Sequence, residues 1–229
     1  MPGRDVGAVL AGLVEATRTG SGLRSVPEGV ARVFGMDALT VSGIHGGLPE
    51  LVWSDPAKGL GPELEELQFA LGDGPTWQAA RQSRVLTEPD LTLTDHGRWP
   101  AFLPAAIRTS ARAVIAVPLQ LGAATVGVMT GYRVTPVVLT TAQRRDIRRL
   151  GRILLLLLLN GMGSDPWNAL SLRRAEVHQA TGYLSAKLGI PLDEALARLR
   201  AHAAASESSL TEHAHALLTR RSPPEVLDL

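Results

Sequence analysis

Seven consecutive apolar residues, Ile153 to Leu159, limit what this 229-residue chain can become. The run is far shorter than the ~20 residues a membrane-spanning helix needs. It ends a helical pattern that starts at Thr140, a residue able to cap a helix, and continues as a stripe of Ile147, Leu150, Ile153, Leu154 and Leu157. Its last turns present no polar face, so they need cover on every side. One domain normally covers one side. The pattern therefore predicts a homodimer with Ile153, Leu155 and Leu158 in its seam or, alternatively, a helix at the centre of a core.

Hydrophobic residues make up 45% of the chain, enough for a full core and for two modest domains. The formal net charge is +1, from 23 Lys and Arg against 22 Asp and Glu, which removes the basic excess of a general nucleic-acid binder and makes any such site local. There is no cysteine, so disulfides, thiolate catalysis and Cys-ligated metals are excluded. The first segment places Asp5 and Glu15 around Val6, Val9, Leu10 and Leu13 at helical spacing, which predicts an amphipathic helix rather than a signal peptide. The expectation is a soluble, cytoplasmic protein with no membrane partner.

Val26 to Phe34 reads as a second helix. Ala38 to Ile44 alternates as a strand that turns through Gly46-Gly47 into Glu50 to Trp53, a β-hairpin pattern. Ala113 to Leu119 and Thr125 to Tyr132, joined around Gly122, predict a second hairpin. Between them lie two short helices, Pro62 to Phe69 and Thr76 to Arg81, the strand-like Val85 to Thr87, and a loop from Asp95 to Pro100. Asn160 to Pro166, with two glycines and a proline, reads as a linker.

Three short helical patterns follow. Val177, Ala180, Leu184 and Leu188 line the first; Leu192, Ala195, Leu196, Leu199 and Ala203 the second; Leu210, Ala214, Leu217 and Leu218 the third. Gly189 closes the first, Pro191 sits in the turn and Ser209 can cap the last.

Ala180-Thr181-Gly182-Tyr183-Leu184, Glu194-Ala195, Leu199-Arg200, Ala203, Leu210 and Ala214 together resemble the ANTAR output domain, over about Leu170 to Arg221. The preceding region resembles a GAF sensor domain of the kind joined to ANTAR in actinobacterial proteins, through Leu71-Gly72-Asp73-Gly74-Pro75, the Val85 to Leu91 stretch and the hairpin ending in Gly127-Val128-Met129. The resemblance implies an α+β fold: a GAF-like antiparallel sheet flanked by helices, a long connecting helix and a C-terminal three-helix module. The implied boundaries are 1–160 for the sensor with its dimerisation helix, 161–169 for the linker, 170–221 for the module and 222–229 for a tail. It further implies an antitermination regulator that binds paired hairpins in nascent mRNA and keeps a terminator from forming.

Ala180, Thr181, Gly182, Arg200 and Ala203 are the RNA-contact candidates. Gly182 costs a helix roughly 1 kcal/mol relative to Ala. Without a Cβ it leaves bare backbone for a ribose, phosphate or stacked base, with Ala180 and Ala203 keeping the surface around it shallow. The alternative is that Gly182 lets two helices pack closely. Many ANTAR domains carry Lys where this chain has Thr181, and a basic pair where it has Glu207-Ser208-Ser209. The segment 166–229 holds seven basic and seven acidic residues, so backbone affinity should be reduced or specificity altered.

Two other readings stay open: a DNA-binding helix-turn-helix regulator, against which Asp193 and Glu194 argue at the start of the would-be recognition helix, and a sensor acting only through protein contacts. Arg144, Arg145, Arg148, Arg149 and Arg152, with Asp146 the only acid among them, share a broad helix face that either holds RNA phosphates or keeps the helix solvated. In the sensor half, Trp53, Phe69, Trp77, His96, Trp99 and Arg112 are candidates to line a pocket for an unidentified small-molecule or protein signal. His178, His202, His213 and His215 fall in the C-terminal module, but His213 and His215 diverge on a helix, so no metal site is expected. No catalytic motif stands out, so neither an enzyme nor a cofactor is expected.

Overall fold

The computed structural model describes residues 5–161 and 166–219, with the side chains of all but 166–173. The chain forms two compact units, the first holding the sheet and the second the C-terminal helices.

In the first unit, α1 (Val6–Thr19) leads through a 3-10 turn at Gly22–Ser25 to the short α2 (Val30–Val33). The hairpin β1 (Ala38–His45) and β2 (Leu48–Asp55) follows, then α3 (Leu60–Leu71), α4 (Pro75–Gln82) and β3 (Leu86–Glu88). Two 3-10 turns, Leu91–Leu93 and His96–Arg98, precede α5 (Phe102–Ala106). The second hairpin, β4 (Ala113–Leu121) and β5 (Ala124–Arg133), leads into α6 (Thr141–Gly161). The strands make one antiparallel sheet in the order β2-β1-β5-β4-β3. Both hairpins stand where alternation places them, but the second helix shrinks to one turn, because Gly29 supplies its left-handed entry and the Asp55 carboxylate caps it by accepting from the Gly29 and Ala31 N–H groups.

The period-2 alternation of the central strands divides their side chains between two faces. Thr40, Ser42, Ala116, Val128, Thr130 and Tyr132 point toward α3 and α4, whereas Val117, Leu119 and Met129 meet α6. Gly127 permits that second contact: a Cβ there would lie 2.8 Å from Leu158 Cδ2 and 2.7 Å from the Ser42 carbonyl.

Thr140 and Gln143 cap α6 reciprocally: the Gln143 N–H donates to Thr140 Oγ1 and the Thr140 N–H to Gln143 Oε1. The apolar run is covered within one chain. The sheet takes one flank, α1 and the first 3-10 turn another, and Ile153, Leu154, Leu157 and Leu158 are buried. Ile153 and Leu158 therefore belong to the protomer's own core and not to an intermolecular seam. What remains outside is Leu156, 49% exposed, beside the half-buried Leu155 and Leu159.

In the second unit, α7 (Pro166–Leu188), α8 (Leu192–Ala205) and α9 (Leu210–Leu218) follow the three sequence patterns. The first helix begins earlier than the pattern suggests, with Pro166 at its start, a position where its missing N–H costs nothing. At the other end of the expected linker, Asn160 and Gly161 still belong to α6; Met162 to Asp165 lie outside the described residues, as do Arg220, Arg221 and the tail. Val177, Ala180, Leu184, Ala195, Leu196, Leu199, Ala203, Leu210, Ala214 and Leu217 form the core. Ser209 and Glu212 complete a capping box on α9.

Candidate functional site

Between α3–α4 and the sheet lies a buried polar network centred on Glu65. Its Oε1 accepts from Thr40 Oγ1 at 2.8 Å, Thr76 Oγ1 at 3.0 Å and Tyr132 OH at 2.7 Å, and its Oε2 from Ser42 Oγ at 3.1 Å. Gln68 Nε2 donates to Tyr132 OH and to Thr76 Oγ1, Gln68 Oε1 accepts from the Thr76 N–H, and Thr76 and Thr130 share a hydroxyl bond. All seven side chains are buried. The donors that meet the carboxylate are neutral hydroxyls, so desolvation prevails and raises the Glu65 carboxyl above the ordinary carboxylate value, although each hydroxyl pulls it back. The same burial, with the Glu65 charge beside it, pushes the Tyr132 phenol well up.

The loop after α3 serves this network. Gly74 has φ of 125°, and a Cβ there would fall 2.6 Å from Gln68, so only glycine lets Thr76 reach Gln68. Pro75 opens α4, and Asp73 accepts from the N–H groups of Ala101 and Phe102 to cap α5. Those roles give the Leu71 to Pro75 motif a structural meaning.

The ligand candidates differ in burial and in what they hold. Trp99 is buried, its indole N–H donating to Gln78 Oε1 at 2.9 Å and its ring meeting Phe102 edge-on at 6.2 Å. Arg98, paired with Glu88, lies over that ring at 4.5 Å. Trp77 and Phe69 are buried, with Arg81 5.1 Å over the Trp77 ring. Trp53 on β2 is half-buried and His96 is exposed. The Arg112 guanidinium donates to the carbonyls of Thr109 and Ala111, so it holds its own loop. A shallow groove with room for about 10 Å³ lies elsewhere, lined by Met36, Thr87, Glu88, Ile115, Arg133 and Leu139 among others, and none of the candidates lines it.

In the second unit the RNA candidates separate into inside and outside. Ala180 and Ala203 are buried in the core, where small side chains permit close helix packing, so they do not form the shallow surface expected of them. Thr181 is buried too, its hydroxyl donating to the Val177 carbonyl at 2.7 Å; a side chain there is turned inward, away from solvent. Gly182 faces the other way: a Cβ there meets nothing within 4 Å among the described residues, which argues against close packing as its reason. Beside it Tyr183 is 40% exposed, an aromatic the sequence reading passed over because its flanking residues carried the motif. Arg200 is half-buried. His202 and His213 stack edge-on at 4.7 Å, and His213 is buried with Nε2 unbonded among the described residues. Burial first, then the neighbouring His202, hold the His213 imidazole below its usual value. No group of three potential metal ligands converges among the described residues.

No family model matches the chain, and no curated protein does. Solved structures do. A GAF domain from the Acinetobacter phosphoenolpyruvate-protein phosphotransferase is 15% identical, with a TM-score of 0.52, and the match covers 69% of this chain and 94% of that one. The GAF domain of the corresponding Coxiella burnetii protein is 12% identical at a TM-score of 0.52, over 71% of this chain and 98% of that one. A phycocyanobilin-bound GAF domain from a cyanobacterial phytochrome is 10% identical at 0.50, again over 71% and 98%. The N-terminal unit thus has a GAF-like fold. Among the described residues no helix is long and apolar enough to cross a membrane.

Proposed function

We propose that this chain is a non-enzymatic, signal-responsive regulator in which a GAF-like unit governs an ANTAR-like three-helix unit that binds paired hairpins in nascent mRNA. Gly182 carries the reading. A glycine inside α7 weakens the helix, none of the described residues packs against it, and the bare backbone lies beside the exposed Tyr183, which suits the stacking of an unpaired loop base. With Ala180, Thr181 and Ala203 assigned to the core, Gly182, Tyr183 and Arg200 remain as the contact set. Asp193 and Glu194, both exposed in the first turn of α8, disfavour the DNA-reading alternative because they repel phosphates where a recognition helix approaches them.

The signal entering the GAF-like unit is a small molecule or a partner protein. A second copy of the chain joins through Leu155, Leu156 and Leu159. The protein works in the cytoplasm, where nascent mRNA is found. Titration of a labelled two-hairpin RNA and of duplex DNA of equal length, at about 50 and 200 mM salt, tests the proposal. Salt-dependent binding to the RNA alone supports it; equal binding to both, or to neither, sinks it.

A further inference from the structure

We infer that Arg145, Arg148, Arg149 and Arg152 on α6 form a ridge that binds the phosphate backbone of the same RNA, a surface outside the three-helix unit; the inference rests on the RNA-binding reading above. Spacings of three, four and seven put these residues on one helix face, and all four are exposed. Arg145 has Asp146 at 3.7 Å, and the neighbouring Arg144 spends its Nε on the Leu139 carbonyl. Arg148, Arg149 and Arg152 have no ion pair or hydrogen bond among the described residues.

As a merely wetted face, this arrangement is a poor solution. Like charges three and four residues apart weaken a helix, and Arg144 and Arg145 stand close to its positive N-terminal end. Mixed charges would solubilise it without either penalty. A polyanion removes both. At a rise of 1.5 Å per residue, Arg145 to Arg152 spans about 10 Å, a dense line of positive charge. Guanidinium groups also match phosphate oxygens two at a time.

The demand for such a surface comes from the C-terminal segment itself. Its seven basic residues are balanced by seven acidic ones, and Thr181 is buried, so little backbone attraction originates there. A lipid surface fits less well, because an interfacial helix needs an apolar face lying along its length, and that face of α6 is packed on the sheet.

The test uses the full chain and a labelled two-hairpin RNA, titrated from about 50 to 300 mM salt. Combined Arg148→Gln, Arg149→Gln and Arg152→Gln should weaken binding about tenfold or more near 150 mM and flatten the plot of log affinity against log salt by about two to three. The matching triple Lys variant should keep the slope, which counts charges. Unchanged affinity and slope in the Gln variant would remove the ridge and leave the RNA reading intact. Wild-type protein that binds no hairpin would overturn the RNA reading first and the ridge with it. Arginine-dependent sedimentation with phosphatidylglycerol vesicles, without RNA binding, would overturn the proposal in favour of a membrane. If the triple Gln variant loses its near-ultraviolet circular dichroism, Arg149→Glu alone decides by the same slope.

Discussion

A buried carboxylate held by neutral hydroxyls is a compromise, and Glu65 shows both of its terms. Removing the side chain strands the hydroxyls of Thr40, Ser42, Thr76 and Tyr132 in a dry site, so Glu65→Ala should cost about 3 kcal/mol or more in denaturant unfolding. Glu65→Gln keeps acceptors for three of them, can donate to Ser42 and carries no charge, so it should fold at least as well as the parent at neutral pH. A large loss for the Gln variant would show that the ionised form is required. Gly182 poses the opposite problem, an open site with nothing to fill it. Gly182→Leu should therefore raise the melting temperature slightly, since Leu gains up to about 1 kcal/mol over Gly in a helix, while hairpin affinity falls sharply. A lowered melting temperature would contradict the open geometry. The sequence made Gly182 visible because a glycine in a helical pattern is anomalous. Glu65 stayed hidden in Leu64-Glu65-Glu66-Leu67, where an acid reads as solvent-facing; its available signal was the in-phase polar alternation of Thr40 with Ser42 and of Thr130 with Tyr132.

Among the elements, α6 shows how composition misleads when contact partners are unknown. A run without polar residues looks as if it needs a second molecule, yet the sheet on one flank and α1 on another bury Leu154, Leu157 and Leu158 within one chain. The two exposure classes separate experimentally. Leu158→Glu places a charge against Gly127 and should destabilise the protomer by about 3 kcal/mol or more. Leu156→Glu should leave the melting temperature nearly unchanged and, if copies pair through the remaining strip, shift light scattering from dimer to monomer. Persistence of the dimer in that variant would move the interface elsewhere. Strands and turns were legible because alternation and glycine turns are local signals, as at Gly46-Gly47. The helix α5 was not, since its five residues, Pro104 included, owe their helical state to the distant Asp73 cap and to burial of Phe102 and Leu103.

For the whole molecule, Glu65 and His213 tie the stability of their units to pH in opposite directions. The Glu65 carboxyl is raised above 4.5 in the folded state, so between that value and its folded value the native form holds more protons than the unfolded chain. Its contribution is complete below pH 4.5 and is lost as pH rises through the folded value. His213 is lowered below 6.5, so the unfolded chain takes up a proton first, and that contribution is lost as pH falls from 6.5 through the folded value. Acidification below pH 6.5 should thus loosen α8 and α9, while acidification toward pH 4.5 should tighten α3 and the sheet around Tyr132. Hydrogen exchange read by peptide and corrected for intrinsic rates separates the two units, which a single melting curve would average. Between about pH 7 and pH 4.5, protection should fall in Leu192 to Leu218 and rise in Leu60 to Leu71 and Ala124 to Arg133. Each slope has its own control: His213→Leu should flatten the first without touching the second, and Glu65→Gln should do the reverse. A parallel change in both units, surviving in both variants, would mean that the exposed carboxylates and histidines, and not these two buried groups, set the response to acid.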